Sequence, residues 1–83
     1  MKTTRYFEEQ VLRKRPYIER GWCALPPVAE TRQEDGRIRR WVRVEQAPPD
    51  GATRFLRVVL LEDGETVHNA FFDRNFSPPE VQQ

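Results

Sequence analysis

From Phe55 to Phe72 the chain reads as two β-rich runs around Asp63-Gly64. Asp-Gly between such runs is a strong hairpin signal, because a two-residue type I′ turn needs positive φ at both central positions. That turn predicts Leu61 opposite Thr66, Val59 opposite His68, Arg57 opposite Ala70 and Phe55 opposite Phe72. Side chains alternate across a sheet, so Leu56, Val58, Leu60, Val67 and Phe71 share a core face. The other face carries Phe55, Arg57, Val59, Leu61, Thr66, His68, Ala70 and Phe72, with His68 diagonal to Arg57.

A second Asp-Gly, Asp35-Gly36, separates Ala29–Gln33 from Ile38–Val44. The same register rule predicts Gln33 opposite Ile38, Arg32 opposite Arg39 and Glu30 opposite Trp41. Ile38, Arg40, Val42 and Val44 then share one face, and Arg39, Trp41 and Arg43 the other. Before these strands the period changes. Phe7, Val11 and Leu12 mark one helix over residues 6–15, with acidic residues at its start, Arg13-Lys14-Arg15 at its end and Pro16 as a stop. Ile18, Trp22 and Leu25 mark a second helix over Tyr17–Leu25, ended by Pro26-Pro27. Turn formers over Gln46–Ala52 join the hairpins, and Ser77–Gln83 reads as a flexible tail. The expected architecture is α+β: one domain over residues 1–76, with two N-terminal helices on one face of a four-stranded antiparallel meander.

Composition narrows the function only a little. Eighty-three residues, 37% hydrophobic and 33% charged, suit one domain with a thin core. Net charge is +1, but residues 1–45 carry +4 and residues 46–83 carry −3. Arginine dominates the basic residues, which suits bidentate phosphate contacts and stacking on bases. A single cysteine, Cys23, excludes an intrachain disulfide, and with one histidine there is no Cys/His metal set. No cofactor or metal is expected. The N-terminal residues lack the apolar stretch of a signal peptide and no run is long enough to span a membrane, so a cytoplasmic location is expected.

The helical stretch ending in Arg15-Pro16-Tyr17-Ile18, then Asp35–Trp41, Leu56–Leu60 and Glu65–Phe71, resembles small bacterial domains related to the RelE/BrnT-type ribonuclease toxins. The resemblance covers roughly residues 5–74. It implies a compact α+β fold, RNA as the partner, and metal-independent mRNA cleavage by basic and aromatic residues. It also implies an antitoxin-like protein that covers the sheet. The chain departs from the pattern at Arg5-Tyr6-Phe7, where many relatives have a histidine, and at Phe76–Pro79, where the toxins often have a basic helix.

Two functions follow from these residues. In the first, Arg39, Trp41, Arg43 and Arg57 bind RNA on the open sheet face, guanidinium groups holding phosphates and Trp41 stacking on a base. His68, which titrates near neutrality, and Arg57 would then be the catalytic pair of an endoribonuclease. In the second, Phe55, Phe72 and Trp41 form a non-enzymatic docking surface for a partner protein or a second copy. Arg13-Lys14-Arg15 fit either a phosphate-binding corner or the C-terminal end of a helix. Glu62, Asp63 and Glu65 fit a solvated turn, and Cys23 a small buried hydrophobe. No glycine-rich phosphate loop is present.

Overall fold

The computed structural model describes residues 1–79, and residues 80–83 of the expected tail lie outside the described residues. Four strands, β1 (Pro27–Arg32), β2 (Ile38–Ala47), β3 (Ala52–Leu60) and β4 (Val67–Phe72), form one antiparallel meander in the order β1-β2-β3-β4.

The N-terminal helix is wide over Phe7–Val11, where it is π-helical, and continues as α-helix over Leu12–Lys14. Phe7 and Val11, one turn apart, are both fully buried. They sit in one core with Val42, Leu56, Val58, Leu60 and Val67. Thr4 starts the helix: its hydroxyl accepts the Phe7 N–H at 3.0 Å, occupying one of the free donors of the first turn. Arg15, before Pro16, leaves helical geometry at φ −123°, ψ 65°.

The second expected helix does not form. Glu19 is extended, and only a 3₁₀ turn, Arg20–Ala24, follows before the prolines. Pro16 and Pro26-Pro27 leave too few residues between them for a helix once Tyr17–Glu19 are extended or turning, and Gly21 weakens what remains. Ile18, Trp22 and Cys23 still reach the core, while Leu25, expected on the same stripe, is exposed. The Glu8–Arg20 ion pair ties this turn back to the helix.

Both hairpins differ from the predicted two-residue turns, because their aspartates are not in the left-handed region. Only the glycines are, with Gly36 at φ 89° and Gly64 at φ 69°. In the first hairpin the Gln33 N–H reaches Arg37 O at 2.7 Å and the Gly36 N–H reaches Gln33 O at 3.0 Å. The loop therefore has three residues, with glycine in the left-handed bulge position. The register moves by one: Arg32 faces Ile38, Thr31 faces Arg39 and Ala29 faces Trp41. In the second hairpin the Leu61 N–H reaches Thr66 O, as the sequence predicts, around a four-residue loop. Asp63 closes it, its carboxylate accepting the N–H groups of Glu65 and Thr66 and the Thr66 hydroxyl.

The larger correction lies further along β4. Leu60 faces Val67, but Val59 faces Asn69, Arg57 faces Phe71 and Leu56 faces Phe72. His68 is the extra residue of a β-bulge. A one-residue slip exchanges the faces of a strand. Ala70 and Phe72, expected on the open face, lie on the core side, where Ala70 is fully buried and Phe72 packs against the core. Phe71, expected in the core, joins Arg57 on the open side. At this bulge the N-terminal segment docks in parallel on β4: the Val67 N–H donates to Lys2 O and the Thr4 N–H to Val67 O, both at 2.9 Å.

Candidate functional site: an arginine and aromatic cleft

The open sheet face is not bare. After β4 the chain turns at Asp73, whose carboxylate accepts the Asn75 N–H at 3.0 Å. Phe76 is thereby carried back over the sheet. Its ring lies on the Trp41 indole with centroids 4.8 Å apart and planes 10° apart. The same ring meets Phe55 edge-on at 5.3 Å. Trp41 is consequently only 8% exposed. Its indole N–H donates to Asp73 Oδ2 at 3.0 Å, which fixes the ring plane.

Beside this stack a cleft of about 860 Å³ opens around the end of β4. Because Phe71 and Phe72 point to opposite sides of the sheet, the cleft straddles the strand. Tyr17, stacked on Phe72 at 6.0 Å, forms one wall. Phe55 and Phe76 form another, and the Pro48-Pro49 corner between β2 and β3 closes the end. That corner has a cis peptide bond and follows a bulge at the end of β2, where Gln46 is left-handed and the Gly51 N–H bonds Ala47 O.

The charges around Phe71 are uneven. The guanidinium of Arg57 lies 5.3 Å from the Phe71 ring centroid and 5.7 Å from that of Trp41. Arg15 lies 5.9 Å from the Phe71 centroid. Two cations thus share one aromatic ring, a favourable cation–π arrangement that also concentrates positive charge. Arg57 reaches Asp73 only at 3.9 Å, and its buried Nε has no hydrogen-bond partner. Arg54 is neutralised by Asp50 at 2.7 Å, and that contact, with the Ala52 N–H, holds the Asp50 carboxyl at about 2. Among the described residues, neither Arg15 nor Arg74 makes an ion pair. The cleft therefore offers apolar ring surfaces and two cations, Arg15 and Arg74, without carboxylate partners, the combination that suits a planar, anionic ligand.

The residues expected from sequence are divided by this geometry. Arg57, Trp41 and Phe55 come together, and Arg43 lies over the Phe55 ring at 5.5 Å. Arg39, on the same face of β2, turns toward the first hairpin, where the Gln33 amide oxygen, with the amide oriented to satisfy both neighbours, accepts its Nε at 2.8 Å. Phe72 does not face Phe55; it packs on the other side against Tyr17 and Trp22.

His68 stands apart from the cleft. Its Nδ1 is 3.0 Å from the Thr4 hydroxyl and its ring stacks on Tyr6 at 4.9 Å. Burial, with a smaller contribution from the Arg37 charge, pushes its pKa below the usual histidine value. The diagonal position beside Arg57 belongs to Asn69 instead. Cys23 is buried, which pushes its thiol up to about 11. Among the described residues no cluster of His, Cys, Asp and Glu is arranged to hold a metal, and no helix is long and apolar enough to cross a membrane.

Sequence reasoning named Arg15 only with Arg13 and Lys14, as one of two readings of that corner, and missed Tyr17, Phe71, Arg74 and Phe76 as site residues. Tyr17 follows Pro16 just past the helix, where a stop signal accounts for it without reference to a ligand. Phe71 was hidden by the bulge. Arg74 and Phe76 follow the last strand, and their repeated aromatic and basic character in Phe71-Phe72-Asp73-Arg74-Asn75-Phe76 was the available signal. In comparisons with family models, curated proteins and solved structures, nothing matches this chain.

Proposed function

We propose that this protein is an RNA-binding domain that takes single-stranded RNA in the cleft around Phe71. One observation carries the reading: Arg15 and Arg57 flank the same phenylalanine ring, and Arg74 lies at the rim without a carboxylate partner. Single-stranded RNA presents alternating phosphates and unstacked bases, and proteins bind it with cationic grooves that carry aromatic platforms. The cleft volume is in the range of ordinary ligand sites and exceeds what one nucleotide needs. The resemblance to RelE/BrnT-type toxins supports the same partner class. Cleavage is not part of the proposal. His68, the expected acid or base, is held by Thr4 and Tyr6 outside the cleft lining.

The non-enzymatic docking surface expected from Phe55, Phe72 and Trp41 has less support. Those rings lie on two faces of the sheet and are packed against the chain's own residues.

The test is a titration of the protein with labelled hexauridylate at several salt concentrations. Three guanidinium–phosphate contacts on a single strand predict a log–log salt slope of about −2. Arg74→Glu is expected to weaken binding and flatten the slope. RNA binding that is absent at low salt, or independent of salt, overturns the reading.

A further inference from the structure

We infer that the Trp41 indole is a second base-stacking subsite, closed in the free protein by the chain's own Phe76. This rests on the reading of the neighbouring cleft as an RNA site, and it adds a binding position that the cleft alone does not contain.

The geometry of the Trp41–Phe76 pair is the starting point. Aromatic side chains pair either edge-on or parallel and offset. Here the planes are within 10° of parallel at 4.8 Å, the offset stack that a nucleobase also makes on an indole. The indole is also prepared in advance. Asp73 accepts its N–H, Arg57 lies beside its ring, and Phe55, whose ring is inclined at 60° to that of Phe76, stands at the side of the seat. A flat ring entering this seat meets an oriented platform, a wall and a guanidinium within reach of an adjoining phosphate.

Phe76 also lines the cleft, so it is the partition between cleft and seat. It lies beyond the last strand, in a segment without helix or sheet pairing of its own apart from a short turn at its described end. Swinging Phe76 out leaves β2, β3 and β4 paired and joins the two spaces into one groove. Phosphates held by Arg15 and Arg74 would place a neighbouring base beside the partition. An RNA long enough to reach it gains a stack on Trp41 and loses the Phe76 contact, whereas a mononucleotide gains nothing. The predicted signature is a gain of affinity on removing Phe76 that oligonucleotides show and a mononucleotide does not.

The experiment compares the full chain and its Phe76→Ala form in a Trp22→Phe background, where Trp41 is the sole indole. In the absence of RNA, Phe76→Ala should shift Trp41 emission to the red and open it to iodide quenching. Hexauridylate should then bind about tenfold more tightly than to the parent and quench Trp41, within the range expected for one base stack. Uridine monophosphate, too short to span cleft and seat, should gain no affinity. Phe76→Leu keeps apolar cover without the aromatic plane, and is expected to give a smaller gain of the same sign should the alanine form unfold. If the parent binds RNA with the expected salt dependence but neither variant binds more tightly or quenches Trp41, the subsite is wrong and the cleft reading stands. If neither parent nor variants bind RNA at low salt, both fall together.

Discussion

The Thr4 hydroxyl sits between the Phe7 N–H and the His68 Nδ1, 3.0 Å from each. One side chain therefore joins the start of the helix to the bulge in β4. In the arrangement that satisfies both, the hydroxyl accepts from the amide and donates to a neutral imidazole whose proton is on Nε2. Protonating His68 turns Nδ1 into a donor and reverses that hydrogen bond, so the hydroxyl must accept from both neighbours.

This gives the first prediction, on pH. The folded-state pKa of His68 lies below its ordinary value of 6.5, first because of burial and then because of Arg37. Between the two values the unfolded chain binds more protons than the folded one, so stability rises with pH there. The contribution is complete above about 6.5 and is lost as pH falls through the lowered value. A urea midpoint followed from neutral to mildly acidic pH should show this step, and His68→Asn should remove it. The carboxyls of Glu8, Asp50 and Asp63, each held at about 2 by their hydrogen bonds, should add a separate loss at much lower pH.

Thr4→Ala should cost about 1 kcal/mol, the usual size for losing a helix-start side chain. It also strips the His68 Nδ1 of its hydrogen-bond partner, so the imidazole nitrogen resonance read by NMR should move. Thr4→Ser should restore most of both effects, since the hydroxyl alone makes the contacts.

Leu60, 2% exposed and opposite Val67, belongs to the shared core of helix and sheet. Leu60→Ala should cost roughly 2–5 kcal/mol, a large part of the stability of a domain this size. Denaturant unfolding should show a lower midpoint with an unchanged slope. An unchanged midpoint places the core elsewhere.

Gly36 has φ 89°, and a Cβ added there would lie 2.6 Å from Glu62 Oε1. The two hairpin loops touch at this point. The glutamate is flexible and can move aside, but the backbone angle cannot be relieved so cheaply. Gly36→Ala should therefore cost about 1–3 kcal/mol, and adding Glu62→Ala should recover little of it. Full recovery in the double variant would show that the steric contact, rather than the dihedral angle, sets the cost.

The buried Cys23 thiol, raised to about 11, should resist a disulfide reagent at mildly alkaline pH in the native protein. It should react promptly once urea unfolds the chain. Fast native labelling would mean that the Arg20–Ala24 turn opens readily.

The meander and the inner face of β2 and β3 were legible because alternation is local. Val42, Val44, Leu56, Val58 and Leu60 follow a strict period of two, and no distant residue alters it. The hairpin loops were half legible. Asp-Gly marked both turns, but loop length depends on whether the aspartate takes a positive φ or instead receives N–H groups on its carboxylate, as Asp63 does. The bulge at His68 was not legible. Nothing in Val67-His68-Asn69 announces it, and it lies where Lys2–Thr4 dock from the far end of the chain. That one inserted residue moved Phe71 into the site and His68 away from it. The cover formed by Phe76 was illegible for a related reason. A chain end folding back over a sheet has no period to read.

The docking of Lys2–Thr4 on Val67 also sets the order in which the molecule can be made. The hairpins join neighbours in sequence and can form as soon as each pair of strands exists, whereas the N-terminal segment must find a partner more than sixty residues away. Contacts of such separation close late, because the loop entropy comes before the reward. A ribosome synthesising this chain releases Phe7 and Val11 well before β4, which completes the core they join. Until β4 emerges, Lys2–Thr4 have no strand to dock on, and the sheet is completed only when that segment returns to it across the whole meander.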